Sequence, residues 1–258
     1  MKKTFFYTLF IITVASCTEA PEFPNTPKIE FNDIIFKNLG DDADSLIVLV
    51  DFEDGDGDLG LGSTEITDEF SQRIYFNKAN GQPIFLPSNE DEITEQELNF
   101  YLNNLMIFAD RSVIDTLPDY LGDPICLNWN TNEIELLVRF NDQSRANVIL
   151  KDTVYFQFNN RYNNFLVDFY IDNGAGFEEY DWRLESNCIE GFDGRFPILN
   201  ESGKEKALEG TIRYGMTSFG FEPILGDKQI KLAITIIDRR GNYSNRIETP
   251  PFRLSEID

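Results

Sequence analysis

The chain has 258 residues, of which 45 are acidic and 22 are Lys or Arg, for a formal net charge of −23 at pH 7. A field of this sign repels nucleic acid and anionic lipid headgroups, so nucleic acid is excluded as a partner. The chain has no histidine, which excludes Ser-His-Asp and Cys-His nucleophile systems and His-ligated zinc or iron sites.

Residues 1–16 have the pattern of a secretory signal peptide. Lys2 and Lys3 precede an apolar run that ends at Val14, and small residues follow directly before Cys17. The run has about half of the ~20 residues that a membrane-spanning helix needs, so we do not expect a retained transmembrane segment. Cleavage that leaves Cys17 as a free thiol is the alternative to lipidation.

The small residues before Cys17 resemble the lipobox of bacterial lipoproteins. The resemblance implies that Cys17 becomes the first mature residue and carries diacylglycerol on its sulfur, usually with a further acyl chain, such as palmitate, on its amino group. Each buried methylene contributes about 0.8 kcal/mol, so two or more chains attach a protein stably to a lipid bilayer. Residues 17–28 are then the lipidated cysteine and a flexible polar tether.

The mature chain has the length and patterning of an all-β protein. Segments rich in Val, Ile, Phe and Tyr alternate with Gly, Asn and Asp, which is the signature of strands and turns. We therefore expect one or two immunoglobulin-like or fibronectin-like antiparallel β-sandwiches with at most one short helix. The predicted strands are Ile29 to Phe36, Leu46 to Phe52, Arg73 to Asn77, Ile134 to Phe140, Thr153 to Phe158, Phe165 to Ile171, Gly210 to Met216 and Ile230 to Ile237.

One segment, Ile93 to Asn104, predicts the helix. Ile93, Glu97 and Phe100 fall at helical spacing after a group of acidic residues.

The strongest chemical signal is an acidic, glycine-rich loop directly after the second predicted strand. Asp54, Asp56 and Asp58 have the spacing of positions 1, 3 and 5 of a calcium loop, and Glu65 falls where the twelfth ligand would lie. Leu59 replaces the glycine of position six, so we expect a calcium site at a hairpin end and not an EF-hand with flanking helices. The alternative is an Asp-Gly hairpin turn whose carboxylates face water.

Two cysteines remain after Cys17 is lipidated. Cys126 and Cys188 are an even number in an exported protein, where disulfides persist, and a bridge between them would contribute roughly 4 kcal/mol in the chain-entropy model. Two buried free thiols are the alternative.

The predicted division of the chain rests on turn residues. Pro118, Gly122 and Pro124 cluster, which predicts an immunoglobulin-like domain at 29–117 and a second β-sandwich domain at 118–258. One continuous domain remains an alternative.

A weak internal repetition relates the two halves of the chain. In each half, Leu-Gly-Asp leads into an apolar strand that ends in an acidic, glycine-containing turn, at residues 39–55 and again at residues 225–242. The second copy is two residues shorter from its Leu to its Asp, and chance reuse of a common hairpin pattern is the alternative. Residues 236–245 look like the penultimate-strand turn of bacterial immunoglobulin-like and fibronectin-like modules.

Aromatic and amide side chains are concentrated at residues 158–165 and 174–183. Rings that stack on sugars beside amides that bond hydroxyl groups would form a glycan-binding face, and an exposed Trp129 or Trp182 would favour it. The alternative is that Asn supplies turns and the aromatic residues fill the core. A hydrolase would need two acidic residues that face each other across a cleft, and clustered acids on one segment do not indicate such a pair.

Three tripeptides match an O-glycosylation pattern. The segments centred on Ser45, Thr116 and Thr153 each resemble the Asp-Ser/Thr-aliphatic sequon of Bacteroidota. A polar turn residue that enters a strand would give the same tripeptide.

The whole chain resembles uncharacterised Bacteroidota cell-envelope lipoproteins with an immunoglobulin-like β-sandwich fold. The resemblance rests on the lipobox, on residues 54–60, on residues 192–197 and on residues 208–214. It implies an outer-membrane protein anchored by lipid, in either leaflet, with an envelope protein as partner and no catalytic residue.

Three functions follow from the sequence as hypotheses. The first is a non-catalytic binding or scaffold component of the cell envelope. The second is a calcium-stiffened module that binds glycan or peptide for nutrient uptake. The third is a carboxylate-dependent hydrolase.

Overall fold

The computed structural model describes residues 22–40, 42–88, 90–112, 128–130, 134–186, 188, 191–200 and 202–257. These residues contain fourteen β-strands and two short α-helices. The strands are β1 (Lys28–Lys37), β2 (Asp44–Asp54), β3 (Arg73–Phe76), β4 (Pro83–Ile84), β5 (Glu92–Thr94), β6 (Trp129–Asn130), β7 (Ile134–Arg139), β8 (Arg145–Leu150), β9 (Val154–Phe158), β10 (Phe165–Asp172), β11 (Phe177–Tyr180), β12 (Leu208–Ser218), β13 (Ile230–Ile236) and β14 (Ile247–Glu248). The helices are α1 (Glu95–Asn104) and α2 (Trp182–Glu185).

The all-β prediction is confirmed, although the described residues contain two short α-helices where at most one was expected. Each of the eight predicted strands overlaps an observed one, namely β1, β2, β3, β7, β9, β10, β12 and β13. Among the six strands that the sequence did not predict, five have only two to four residues. A run so short has no measurable alternation, because its pairing depends on the neighbouring strand and not on its own sequence.

Helix α1 begins later than the spacing of apolar residues predicts. The Thr94 hydroxyl accepts a hydrogen bond from the Glu97 backbone N–H at 3.2 Å, and the Glu97 carboxylate accepts one from the Thr94 N–H at 2.7 Å. This capping box starts the helix after Thr94. Ile93 therefore belongs to β5, and Leu98 is the buried residue of the helix, while Phe100 is exposed.

The first sandwich consists of two antiparallel sheets around one core. One sheet has the order β1-β2-β12 and the other has the order β11-β10-β13-β14. Alternate residues of β2 point inward, and they pack in one cluster with the inward residues of β10 and β13. Leu46, Val48 and Val50 of β2 and Ile230 and Leu232 of β13 have no solvent exposure.

The second sandwich has its own core. Its sheets have the orders β4-β3-β9-β6 and β5-β7-β8, and the β5–β7 pair is parallel. Tyr75 of β3, Leu98 of α1, Val138 of β7 and Phe156 of β9 belong to one buried cluster. The two clusters of apolar side chains divide the described residues into two structural units.

The second sandwich is inserted into the first. Strand β2 pairs with β12, so that Leu46 lies opposite Met216, and β3 pairs with β9. The predicted division into 29–117 and 118–258 is corrected by this pairing, because strands on both sides of residue 117 share a sheet. Turn residues mark where a chain bends, and they carry no information about which distant strand it joins.

The predicted lipidation site, Cys17, lies outside the described part of the chain, as do the other residues of 1–21, so the membrane anchor stays a prediction. Within the described ranges, no helix has the length and apolar character needed to cross a bilayer.

Candidate metal centre

The acidic loop begins at the inward face of a central strand. Asp54 is the last residue of β2 and continues the row of buried residues formed by Leu46, Val48, Val50 and Phe52. The alternation that buries the apolar side chains therefore also buries this carboxylate.

The backbone of the loop is tightly held against neighbouring segments. The Gly55 N–H donates to the Pro24 carbonyl at 2.8 Å, and the Lys206 N–H donates to the Asp56 carbonyl at 3.1 Å. Gly57 has a φ of 70°, and a Cβ at that position would lie 2.3 Å from the Lys206 carbonyl oxygen. Only glycine fits there, because the conformation is left-handed and the space is filled.

The loop brings Asp54, Asp56 and Asp58, which we call the triad, into one cluster. Their ligand oxygens all lie within 4.8 Å of one another. Asp54 has no solvent exposure and Asp56 is 5% exposed. The structure thus gathers three of the four residues that the calcium-loop spacing predicted.

Four buried oxygens of the triad accept no hydrogen bond from any of the described residues. They are Asp54 Oδ1, Asp56 Oδ1 and both carboxylate oxygens of Asp58. Buried carboxylates normally have donors or a metal, because an uncompensated buried charge costs several kcal/mol. The triad is therefore an oxygen-rich cluster whose partners are incomplete.

The donors that do reach the triad are few. The Asp58 N–H donates to Asp54 Oδ2 at 3.1 Å. The Arg240 guanidinium donates to Asp56 Oδ2, and its Nε lies 3.6 Å from Asp58 Oδ2. One guanidinium thus contacts two of the three triad carboxylates, and it also bonds Glu205 at 2.6 Å.

Burial and repulsion from neighbouring carboxylates raise the pKa values of Asp54 and Asp58. Burial raises the pKa of Asp54 to about 6, with the charge of Asp56 as the next cause. Burial also raises the pKa of Asp58 to about 7, with further contributions from the charges of Asp238, Asp56 and Asp54. The cluster resists carrying three negative charges, which is the electrostatic condition that a bound divalent cation relieves.

The donor set of the triad fits a hard cation. Carboxylate oxygens suit Ca²⁺ and Mg²⁺, whereas zinc, copper and iron sites favour the nitrogen and sulfur ligands that the cluster lacks. Ca²⁺ accepts six to eight oxygens in flexible geometry, while Mg²⁺ requires a near-ideal octahedron. An irregular loop that supplies closely spaced carboxylates therefore favours Ca²⁺.

The fourth predicted ligand, Glu65, has a different role in the structure. Arg239 Nη1 donates to Glu65 Oε2 at 2.7 Å and Arg239 Nη2 donates to Oε1, while the Gly62 N–H donates to Oε2 at 2.6 Å. The hydrogen bond from Arg239 is the main reason why the pKa of Glu65 is lowered to about 2. Glu65 thus forms a clamp with Arg239, outside the triad.

Sequence reasoning recognised the turn that follows β13 but did not assign it to the acidic site. Asp238 continues the inward row of β13 past Ile234 and Ile236, and it is 4% exposed. The Asn242 N–H and side-chain amide each donate to its carboxylate at 2.7 Å. The backbone N–H of Arg239 donates to the Asp58 carbonyl at 3.2 Å.

The internal repetition of the sequence relates this turn to the acidic loop, and it was the signal that could have joined the two turns into one site. The acidic turns after β2 and β13 come from different sheets of the first sandwich and meet at one end of it. A second segment of the predicted resemblance also reaches the loop, because Leu61 donates its N–H to the Phe196 carbonyl at 3.0 Å.

The tryptophans that would favour a glycan-binding face are buried and not exposed. Trp129 is 2% exposed and Trp182 is 5% exposed, so neither presents a ring to solvent. The Asn159 amide donates to the carbonyls of Glu69 at 2.7 Å and Ser71 at 2.8 Å. It thereby connects the segment that follows β9 to the segment that precedes β3.

The remaining predicted sites lie partly outside the described residues. Cys188 is disulfide-bonded, whereas Cys126 lies outside those residues, so their pairing stays a prediction. Ser45 lies in β2 and Thr153 directly precedes β9, as strand-entry residues do. Thr116 lies outside the described part, and glycosylation at all three positions stays a prediction.

Comparisons of this chain with protein families, with curated proteins and with solved structures find no match.

Proposed function

We propose that the protein binds a divalent cation, Ca²⁺ in preference to others, at Asp54, Asp56 and Asp58, and that it is a calcium-stiffened, non-catalytic binding or scaffold component of the cell envelope. The observation that carries the proposal is the set of four buried triad oxygens that have no donor within the described part of the chain. A cation of charge two would supply the partners and neutralise most of the local charge.

The position of the triad explains what the cation stiffens. The loop carries backbone hydrogen bonds to the segment before β12, through Lys206, and to the turn after β13, through Arg239. A cation held by the loop would fix one end of the first sandwich, where chain segments from both sheets meet. The cation would fix the conformation of the loop and would take no part in chemistry, because the four triad oxygens without donors are shielded from solvent.

Location in the envelope is the second part of the proposal. It rests on the lipobox-like sequence before Cys17, which would attach the mature protein to the outer membrane through acyl chains. The tether at 17–28 would let the sandwiches reach an envelope protein partner.

The surroundings of the triad favour a peptide partner over a glycan. A cleft of about 680 Å³ beside the triad exposes apolar Pro197 and Ile198 among polar groups, and none of the described residues that line it is aromatic. Aliphatic walls suit apolar side chains of a peptide, whereas sugar binding relies on stacking against rings. Both tryptophans are buried elsewhere.

Thermal unfolding with calcium and with excess chelator tests the cation site. A ligand at a hundred times its dissociation constant adds about 2.7 kcal/mol to the stability of the folded state, which raises the midpoint by several degrees. We expect this rise in the wild-type protein and a smaller one with Mg²⁺.

The matched variants each remove three negative charges. Changing Asp54, Asp56 and Asp58 together to Asn should abolish the calcium effect. Changing the exposed acids Glu178, Glu179 and Glu209 together to Gln should preserve it. An absent rise in the wild-type protein, or an equal rise in the Asn variant, would refute the cation site.

A further inference from the structure

Two chain crossings connect the first sandwich to the second. Residues 61–72 lead from the triad loop into β3, and residues 159–164 return from β9 into β10. The Asn159 amide bonds the carbonyls of Glu69 and Ser71, and the Asn159 N–H donates to the Gln72 carbonyl at 3.0 Å. The two crossings are therefore tied to each other.

Both crossings are also tied to the turn after β13. Arg239 clamps Glu65 in the outgoing crossing, with both carboxylate oxygens engaged. The Arg161 guanidinium, in the returning crossing, donates to the Arg239 carbonyl oxygen and pairs with Glu69. The Phe70 ring lies 5.0 Å from the Arg161 guanidinium carbon and 5.9 Å from that of Arg239, within the range of cation–π attraction.

The same turn contacts the triad loop. The Arg239 N–H donates to the Asp58 carbonyl, and Arg240, the next residue, bonds Asp56 and pairs with Asp58. A contiguous set of contacts thus runs from the triad through Arg239 to both crossings. Each contact is a charge-assisted hydrogen bond, a cation–π contact or a backbone hydrogen bond. A displacement of the turn after β13 therefore displaces the residues of the crossings that it contacts.

We propose that a cation at the triad restrains both crossings through Arg239 and thereby sets the rigidity of the junction between the two sandwiches. This inference rests on the proposed cation site and gives the cation a role beyond the stability of its own loop. The bound cation fixes Asp58 and its carbonyl, the carbonyl holds the turn after β13, and the turn holds Glu65 and Arg161. The scaffold would be stiff with the cation and looser without it.

Hydrogen exchange of the full-length protein, with calcium and with chelator, tests the coupling. The N–H groups of Phe70, Ser71 and Tyr162 are hydrogen-bonded within the crossings and report on them. We expect calcium to slow exchange in the triad loop and in both crossings, with the crossings slowed roughly 5-fold to 150-fold, the usual range of coupling between sites. Slower exchange in the triad loop alone would overturn the coupling and leave the cation site intact.

The Glu65→Gln variant tests the Glu65–Arg239 ion pair separately from the cation site at the triad. The variant loses the charge that pairs with Arg239 and keeps the triad, so calcium should still slow exchange in the triad loop. Its effect on residues 61–72 should fall to the part that the contacts of Asn159 and Arg161 transmit. Loss of calcium binding in this variant would show that Glu65 is a ligand and would overturn the inference. Glu248→Gln is the control, because it breaks a comparable ion pair with Lys231 elsewhere, and it should behave as wild type.

Arg161→Gln provides an independent variant in case Glu65→Gln folds poorly. It removes the link between the returning crossing and Arg239, so calcium protection should fall at residues 159–164 and persist at residues 61–72. Equal protection of both crossings in this variant would contradict the proposed route. Absence of any calcium effect on exchange or on the unfolding midpoint of the wild-type protein would instead refute the cation site itself.

Discussion

The triad and Glu65 lie on the same loop and have opposite electrostatic environments. Burial without enough donors raises the pKa values of Asp54 and Asp58, whereas hydrogen bonds from Arg239 lower that of Glu65. All four acidic residues fit one calcium-loop pattern in the sequence. The difference shows that the role of a carboxylate depends on which positively charged side chains and hydrogen-bond donors the fold places beside it.

The two environments also have different structural consequences. Glu65 is paired and clamps the start of the chain crossing, so it needs no further ligand. The triad keeps four buried oxygens without donors, so it gains from any cation that reaches it. Stability without metal and stability with metal should therefore depend on different residues of one loop.

Gly60→Ala should cause the largest loss of stability among these variants. Gly60 lies between the triad and Glu65, so its backbone conformation positions both. Gly60 has a φ of 98°, and a Cβ there would lie 2.1 Å from the Pro197 carbonyl oxygen. The left-handed conformation alone costs about 1–2 kcal/mol for a non-glycine residue, and the clash forces the backbone to move. We expect a loss of about 3 kcal/mol or more in urea unfolding, together with weaker calcium binding.

Gly81→Ala is the control for that prediction. Gly81 also has a positive φ, of 68°, and a Cβ there would meet nothing within 4 Å. The Gly81→Ala variant should lose only about 1 kcal/mol of unfolding free energy, which is the cost of the left-handed conformation without a clash. Equal losses in the two variants would mean that the contact with Pro197 does not hold the loop.

The pH dependence of stability in chelator should have opposite signs for the two environments. Glu65 has a lowered pKa of about 2, so its contribution is complete above its unfolded pKa of about 4 and is lost as the pH falls toward 2. Asp54 and Asp58 have pKa values raised to about 6 and about 7. The folded state then binds more protons than the unfolded state, and stability falls as the pH rises from about 4 to about 7.

Urea unfolding at several pH values in chelator measures both slopes. Glu65→Gln should remove the loss below pH 4 that belongs to Glu65, and the triple Asn variant of the triad should flatten the decline between pH 4 and pH 7. Calcium should reverse that decline in the wild-type protein, because the cation binds deprotonated carboxylates. A wild-type protein in chelator whose stability rises between pH 4 and pH 7 would contradict the raised pKa values.

Arg240→Gln is the smallest of these changes. The guanidinium and a divalent cation compete for the carboxylates of Asp56 and Asp58, and the Arg240 side chain is 48% exposed. An exposed pair contributes up to about 1 kcal/mol, so removal of Arg240 should tighten calcium binding by roughly fivefold. Calorimetric titration measures the affinity.

Arg246→Gln is the matched control for Arg240→Gln, because Arg246 pairs with Asp168 on another strand. Its calcium affinity should equal that of the wild-type protein. Weaker calcium binding in Arg240→Gln would show that Arg240 supports the ligand geometry and does not compete with the cation.

Local sequence determined much of this molecule. The long strands were predictable because their alternation is a local property of β2, β10, β12 and β13. The approach of three carboxylates in the triad was also predictable, because Asp-Gly repeats after a strand keep their side chains within a few residues. The burial of Asp54 follows from the same alternation.

Only the tertiary structure decided the rest. Arg239 is 174 positions from Glu65 and Arg240 is 184 positions from Asp56, and no local pattern predicts which of them meets which carboxylate. The insertion of the second sandwich likewise depends on the pairing of β2 with β12 across the whole insert. Sequence alone therefore located the carboxylates, while long-range strand pairing decided which became a clamp and which remained without donors, because only folding brings distant charges together.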